Sequence, residues 1–261
     1  MRINQKKMSV LSAVIITYNE EKNIERCINS LLDVADEIVI VDSLSDDRTR
    51  EICMQFPVQF YEQPFLGYVE QKNFALQKAR MPCVLCIDAD EALSETLKNE
   101  IIAEKKKGFP KDAYSMNRLN FYCGTWMRHG SFYPDKKLRL FKKAKGRWGG
   151  MNPHDKVLMD PGTEVKHLKG DLLHYSYTTY EAHRQKTERF STIGAEALLK
   201  NGASPTYLSI IINPAFRFLK EYFIKLGFLD GKNGFMAAYY SSMQAHLKYR
   251  KYFALKKTIC K

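Results

Sequence analysis

The chain has 261 residues, of which 45% are hydrophobic and 27% are charged. That length and apolar content suffice to bury a full core, so the sequence excludes a protein that is disordered throughout. The net charge of +12 is uneven, since residues 1–110 carry 14 Lys/Arg against 18 Asp/Glu, whereas residues 111–261 carry 27 against 11. The basic second half is either a solvated face or a surface for phosphate-bearing partners such as nucleic acid, an anionic leaflet or a phosphorylated small molecule.

The N-terminus has the two parts of a short signal peptide, a basic stretch over residues 1–7 and an apolar run over residues 10–16. The apolar run continues into the polar residues 17–21 without a small-residue cleavage site. We therefore expect a buried first strand and a cytoplasmic protein. The six cysteines are too sparse for a disulfide scaffold, which agrees with a reducing compartment.

Short apolar runs alternate with amphipathic segments through the first half of the chain. The pattern predicts helices over residues 20–32, 48–55 and 71–79, the first with Asn19 as its N-cap, and strands over residues 10–16, 37–41, 58–61 and 84–87. This alternation indicates an α/β fold with a parallel sheet covered by helices on both faces. In such folds the ligand crevice lies beyond the carboxyl ends of the strands, so we expect residues 17–20, 42–47 and 88–91 to converge.

Beyond residue 108 the composition becomes aromatic and basic. We predict an irregular loop over residues 147–155 because it contains two glycines and a proline, strands over residues 121–126 and 137–141, and helices over residues 179–199, 206–226 and 234–253. The apolar residues between 208 and 226 recur at helical spacing but are interrupted by charges. That segment is therefore amphipathic and does not span a membrane; it either packs on the core or lies on a membrane.

The strongest chemical signal is Asp88 and Asp90, one residue apart directly after an apolar strand. Two such carboxylates can bind Mg²⁺ or Mn²⁺, hard cations that often also hold substrate phosphates. Alone the tripeptide is a weak indicator, because it also occurs in solvated turns and helix caps. Its context strengthens the metal interpretation, since Asp42 closes another apolar strand and Lys72 lies in a helical segment between them.

Five runs, in this order along the chain, resemble the inverting family 2 glycosyltransferases of the GT-A fold. They are TYNEEKNI at 17–24, DEIVIVDS at 36–43, QKNFAL at 71–76, IDADE at 87–91 and LLHYS at 172–176. Within that family the sequence is most similar to small bacterial enzymes that add glucose to the lipopolysaccharide inner core. The resemblance implies a Rossmann-like, mostly parallel sheet with flanking helices. We predict a catalytic domain over residues 1–200 and a basic, amphipathic helical region over residues 201–261.

The same resemblance implies a role for each matching residue. Asp90 would be the main ligand of the divalent metal, and His174 would be a further ligand or a diphosphate contact. Asp155 would be the general base that takes the proton of the acceptor hydroxyl, as an inverting transfer requires. The donor, a UDP-sugar, would be bound by Thr17, Tyr18, Asn19, Glu20, Asp42, Lys72, Asp88 and Arg139.

Two positions depart from the family pattern. Many relatives have Glu where this chain has Asp155, and the shorter side chain leaves the acceptor geometry open. Relatives often have glycines in the loop after the second strand, where this chain has Leu44 and Arg48, which restrict the turn.

Some side chains keep two interpretations at this stage. Arg139 is either a contact to the donor phosphates or the acceptor, or a surface charge on a strand. His174 is either a ligand or a structural histidine. Trp126 and Trp148 either stack on a sugar or pack in the protein, which is the commoner role of tryptophan.

The prediction from sequence is a metal-dependent inverting glycosyltransferase that moves a sugar, glucose by resemblance, to a lipopolysaccharide-core or other lipid-linked glycan. We expect it to work peripherally at the inner face of the inner membrane, with the basic C-terminal region against anionic lipid. One alternative is a nucleotidyltransferase on a similar sheet, which the absence of G-x-G-x-x-G and P-loop motifs disfavours. The other is a nucleic-acid-binding protein, which would leave the acidic clusters without a role.

Overall fold

The computed structural model describes residues 10–151 and 154–259. Within those residues the chain forms two units, one belonging to Met1–Arg118 and Lys136–His174, the other to Leu119–Asp135 and Tyr175–Lys261. The predicted domains, residues 1–200 and 201–261, stay a prediction, and the two units divide the chain at other positions. The reason is that residues 180–200 form a helix that packs along the C-terminal helix.

Eleven strands and seven α-helices occur in the described residues. The strands are β1 (Leu11–Thr17), β2 (Glu37–Asp42), β3 (Gln59–Glu62), β4 (Cys83–Asp88), β5 (Glu91–Leu93), β6 (Ala113–Tyr122), β7 (Thr125–Met127), β8 (Asp135–Lys142), β9 (Gly146–Met151), β10 (His154–Met159) and β11 (Val165–Tyr177). The helices are α1 (Ile24–Asn29), α2 (Thr49–Cys53), α3 (Tyr68–Lys78), α4 (Glu95–Lys106), α5 (Tyr180–Lys200), α6 (Ser209–Leu219) and α7 (Gly231–Ile259). The α/β fold class is therefore confirmed.

The first unit is built on a mixed sheet with the strand order β3-β2-β1-β4-β8-β6-β11-β5. The first four strands in that order are parallel, as predicted, whereas β8 runs antiparallel to β4 and β5 antiparallel to β11. Parallel pairing aligns Thr17 with Asp42 and Ile16 with Asp88. The carboxyl ends of β1, β2 and β4 thus lie at one edge of the sheet.

The apolar runs of the central strands are buried on both faces, which explains why they read as continuous rather than alternating. Leu11, Ala13 and Ile15 of β1 point to a cluster that contains the buried residues of α1 and α4, whereas Val14 points to a cluster with α3. All four of these β1 residues are at most 3% exposed. The sheet is therefore a rigid platform for the side chains at its edge.

The first helix begins later than predicted. It starts at Ile24 after the N-cap residue Asn23, so the assignment of Asn19 as N-cap is wrong. Asn19 has φ 54°, and its side-chain amide donates to Asp46 Oδ1 at 2.6 Å while its own oxygen accepts from the Asp46 N–H at 3.0 Å. Asn tolerates this left-handed conformation more readily than most residues do. Its side chain binds the loop after β2 and does not cap a helix.

The predicted irregular loop over residues 147–155 is wrong, because β9 and β10 form an antiparallel hairpin. Gly149 is opposite Lys156, and a Cβ on it would come 2.5 Å from Leu158 Cδ1. This glycine therefore permits close packing within the hairpin instead of breaking a strand. The proline of this segment, at position 153, lies outside the described residues.

In the part of the chain that the structure describes, the second unit contains a β-hairpin and three α-helices. The predicted strand over residues 121–126 is interrupted, since β6 ends at Tyr122 and Cys123 and Gly124 turn the chain with φ 47° and 91° into β7. The predicted helix over residues 206–226 is α6 followed by a π-helical turn, Lys220–Ile224. No helix among the described residues is long and apolar enough to cross a bilayer.

Gly170 of β11 offers a test of how this strand is seated on α4. A Cβ there would overlap the backbone of Leu97 at the start of α4. We expect Gly170→Ala to lower the free energy of unfolding by about 1–3 kcal/mol, because overpacking moves backbone. Gly194→Ala in α5, whose Cβ would meet only the flexible Lys248 side chain, should be neutral or stabilising by up to about 1 kcal/mol. Urea unfolding measures both, and equal effects would contradict this role of Gly170.

Candidate active site

The segments after β1 and β2 are tied together at the sheet edge. Asp42 is 1% exposed, and its carboxylate accepts from the Ser45 N–H at 2.8 Å and from Ser45 Oγ at 2.5 Å. Ser45 Oγ in turn accepts from the Asn19 N–H at 2.8 Å. Leu44 occupies the left-handed region with φ 64° where relatives often have glycine, so the loop makes the turn despite the side chain. Two of the three segments expected to converge therefore do so through hydrogen bonds.

A buried row of alternating charges lies beyond β4. Lys72 Nζ is 3.0 Å from Asp88 Oδ1 and 2.9 Å from Asp155 Oδ2. Arg139 Nη2 is 2.9 Å from Asp88 Oδ2 and 3.0 Å from Glu91 Oε1. The Lys72 and Arg139 side chains are only 8% and 5% exposed. Arg139 is therefore not a surface charge, which removes one of its two interpretations.

Electrostatics keep Asp88 and Lys72 of this row ionised. Burial by itself would raise the pKa of Asp88, but Lys72 and Arg139 together outweigh it and hold that pKa well below its ordinary value. Burial would lower the pKa of Lys72, yet Asp88 and Asp155 raise it above the ordinary lysine value. Because the folded-state pKa of Asp88 is lowered, its stabilising contribution is present above the unfolded value and is lost as pH falls below it.

Trp148 lies beneath the two cations. Lys72 Nζ is 4.4 Å and Arg139 Cζ 5.5 Å from its ring centroid, distances at which a cation is attracted to an aromatic face. Asn73 fixes the backbone of Trp148 through two hydrogen bonds of 3.0 Å. Trp148 is thus a packing residue that supports the charges, and Trp126 likewise packs, in the second unit, edge-on against Phe121.

Asp90, two residues after Asp88, meets His174. Asp90 Oδ2 is 3.1 Å from His174 Nε2, and strand pairing brings them together, since β11 aligns His174 with Glu91. Burial, with a smaller contribution from the Asp90 carboxylate, raises the pKa of nearby Glu20. An acidic patch of Glu20 and Asp90 with one imidazole is therefore formed from three distant parts of the sequence.

These residues fit a divalent cation that is shared with a substrate. Among residues 10–151 and 154–259 no group of three or more His, Cys, Asp or Glu side chains is placed to hold a metal. Asp90 and His174 would supply two ligands, and the rest would come from phosphate oxygens and water, as is common for Mg²⁺. The donor set of one carboxylate and one imidazole also suits Mn²⁺.

Sequence reasoning missed two residues that organise the site. Glu91 accepts from Arg139, from Arg118 Nη1 at 3.4 Å and from the Asp88 N–H at 2.9 Å, and its side chain is fully buried. Ser45 joins Asp42 to Asn19. The run of three acids at 88–91 was a signal for Glu91, but its role depends on strand pairings that no local pattern predicts.

A comparison with protein families identifies the family of the chain. A family model described as Glycosyl transferase family 2 matches residues 12–160, more than half of the chain. The chain belongs to this family. The matched region includes the sheet edge and Asp155, so the two alternatives considered from sequence, a nucleic-acid-binding protein and a nucleotidyltransferase, lose their support.

Two relatives and one solved structure are similar to this family 2 glycosyltransferase. An uncharacterized glycosyltransferase of Rickettsia bellii (strain RML369-C) is 34% identical over 236 residues, covering 87% of this chain and 80% of that protein. The lipopolysaccharide core biosynthesis glycosyltransferase LpsC of Rhizobium meliloti (strain 1021) is 30% identical over 243 residues, covering 91% and 89%. The crystal structure of S. aureus TarS 1-349 in complex with UDP is 16% identical with a TM-score of 0.48, covering 95% and 92%.

Glu91 provides a test of the charge row in this glycosyltransferase. Glu91→Gln keeps the shape but leaves Arg139 with one carboxylate, so we expect the free energy of unfolding to fall by about 3 kcal/mol. Glu95→Gln, which removes a charge from an 81% exposed side chain paired with Lys98, should cost less than about 1 kcal/mol. Chemical denaturation of both variants at neutral pH is the measurement. If the two losses were equal, the buried row would not be stabilising the fold.

Proposed function

We propose that this enzyme transfers a sugar, with inversion, from a UDP-sugar to a lipopolysaccharide-core glycan or another lipid-linked glycan, with Asp155 as the general base. The observation that carries the proposal is the Lys72 ammonium, which lies 3.0 Å from Asp88 and 2.9 Å from Asp155. This ammonium contacts both Asp88, which is predicted to bind the donor, and Asp155, which is predicted to take the acceptor proton. The acceptor class is supported by the similarity to LpsC, and glucose is the first donor sugar to test.

The donor would lie across the carboxyl ends of β1, β2 and β4. Each Asp42 oxygen keeps a further lone pair beyond its bond to Ser45, so the carboxylate can also accept from a uracil N–H or a ribose hydroxyl. Thr17 Oγ1, buried beside Asp42, has no hydrogen-bond partner among the described residues. Tyr18 is 57% exposed and would stack on the base. Lys72 and Arg139, which both contact Asp88, would face the diphosphate.

In the proposed reaction an acceptor hydroxyl oxygen attacks the anomeric carbon of the donor sugar. The new carbon–oxygen bond forms as the bond to the β-phosphate oxygen breaks, the nucleoside diphosphate leaves, and the hydroxyl proton passes to the Asp155 carboxylate. A divalent cation held by Asp90 and His174 would stabilise the negative charge that develops on the leaving diphosphate.

The contact between Lys72 and Asp155 suggests how the base is activated. Lys72 Nζ is 2.9 Å from Asp155 Oδ2, so in this arrangement that oxygen accepts from the ammonium and is not free to take a proton from an acceptor hydroxyl. A donor diphosphate is a stronger competitor for the ammonium than a single carboxylate is. Binding of the donor would draw Lys72 away from Asp155, so that the base becomes effective only when a sugar is in place.

A lipid-linked acceptor implies that the enzyme works at a membrane. We therefore also propose a peripheral location on the inner face of the inner membrane, with anionic lipid as the partner of the basic C-terminal region.

Asp155→Asn tests the base. We expect kcat to fall by about 10²- to 10⁴-fold, since the amide cannot take a proton, while the donor still binds, with an unchanged or lower Kd because the amide no longer competes for Lys72. Asp160→Asn, at an exposed position after the same hairpin, is the matched control and should keep full turnover. Transfer of radiolabelled sugar gives kcat, and calorimetric titration gives Kd. Unchanged turnover in Asp155→Asn rejects the assignment.

Asp90→Ala tests the cation. In thermal-shift experiments with the wild type, Mn²⁺ and UDP together should raise Tm more than the sum of their separate effects, because each ligand completes the site of the other. Asp90→Ala should lose this excess, whereas Asp33→Ala, at an exposed site after α1, should retain it. An excess that persists in Asp90→Ala would show that the cation is held elsewhere.

A further inference from the structure

The second unit exposes a continuous apolar surface, which we call the α6 ridge. Its residues are 51% to 64% exposed and follow one another at spacings of three or four, so they form one face of α6 and its π-helical continuation. They are Leu208, Ile212, Phe216, Leu219 and Phe223. Ile211 and Ile224, each 70% exposed, widen the ridge. Large contiguous apolar patches on a protein surface mark places where another surface binds.

Helix α6 exposes an apolar face, unlike a helix in a water-soluble bundle, whose apolar face points inward. The side facing α7 packs Phe218 against Phe235 and also carries polar bonds. Glu221 is 6% exposed and accepts from Ser241 Oγ at 2.7 Å and from Arg217 Nε at 3.3 Å. Ser242 Oγ donates to the Pro214 carbonyl at 2.9 Å. These bonds fix the helix on α7, so the apolar face is held outward and does not await burial against α7.

The charges around the ridge indicate what covers it. The two acidic residues between positions 206 and 232 are both turned inward, Glu221 as described and Asp230 by accepting from His129 Nδ1 at 2.8 Å with a side chain 6% exposed. The exposed charges of that stretch are all positive: Arg217, Lys220, Lys225 and Lys232. An apolar strip flanked only by cations is complementary to acyl chains beneath anionic headgroups.

We propose that the α6 ridge inserts into the interface of an anionic lipid bilayer, with the helix axis in the membrane plane and the flanking cations at the headgroups. In this proposal the attachment is by one face of the helix. The inference rests on the proposed function for its biological purpose, since a lipid-linked acceptor is presented at such an interface. Its physical basis is separate, because lipid binding requires neither donor nor acceptor.

Flotation with vesicles tests the proposal on the full chain. Wild type should float with vesicles of phosphatidylglycerol and phosphatidylethanolamine. The triple variant Ile212→Ser/Phe216→Ser/Phe223→Ser should bind vesicles at least about tenfold more weakly, because it removes three of the seven apolar side chains of the ridge, including both of its phenylalanines. The matched control Leu32→Ser/Met54→Ser/Leu66→Ser changes three exposed apolar residues of the first unit and should float like wild type. Equal flotation of both triple variants overturns the proposal.

Two further measurements separate the alternatives. Lys220→Gln/Lys225→Gln should weaken flotation on anionic vesicles, and high salt should weaken that of wild type. When vesicles are added to Phe216→Trp, the indole emission should shift to the blue and be quenched by brominated acyl chains. The emission of Leu66→Trp should not change. If wild type fails to float and instead sediments as a dimer that the ridge variant converts to a monomer, the ridge binds a second copy and the proposal is wrong. If wild type floats with vesicles but does not transfer sugar, only the proposed function is contradicted.

Discussion

The candidate site depends on an alternation of buried charges that runs from Glu91 through Arg139 and Asp88 to Lys72 and Asp155. Each ion has lost most of its hydration, and removing one takes a partner from its neighbour, which in a low-dielectric environment costs more than the pair gains on forming. The ion pairs of the row therefore fix the positions of these side chains. Trp148 and the rigid sheet beneath it set the geometry that the charges need.

A row of this kind is suited to chemistry in which a negative diphosphate departs. Preorganised cations stabilise developing charge without reorganising at the moment of reaction. Because Lys72 contacts two carboxylates, binding of an anion on one side changes the electrostatic state of the other. In the proposed reaction, donor binding would thereby be linked to the release of Asp155 through a single ammonium group.

The second unit differs from the first in that it has both a buried aromatic cluster and an exposed apolar helix face. Its aromatic cluster around Tyr122 and His183 is buried in the usual way, and burial lowers the pKa of His183 to about 4, so that the imidazole is neutral at physiological pH. Helix α6, by contrast, exposes a row of large apolar residues, while Glu221 in the turn after it points inward. Two faces with opposite polarity on one unit are consistent with a protein that meets both water and lipid.

The sequence by itself determined the α/β class, the central strands and the convergence of Asp42 and Asp88 at one sheet edge. It could do so because apolar runs between helical segments specify buried parallel strands, and parallel strands end together. The ordered motifs pointed to the family that comparison confirmed. The amphipathic character of α6 was also readable from spacing alone.

Only the tertiary structure decided which side chains touch. Asp90 meets His174 across 84 positions of sequence, and Lys72 meets Asp155 across 83. Such pairs depend on strand register and on the β9–β10 hairpin, whose glycines read locally as a loop. The outward orientation of α6 was likewise undetermined, because a hydrophobic stripe shows that a face is apolar but not whether protein or solvent lies against it. Long-range packing settles these questions, since it is set by the sum of many contacts distant in sequence and by no single local preference.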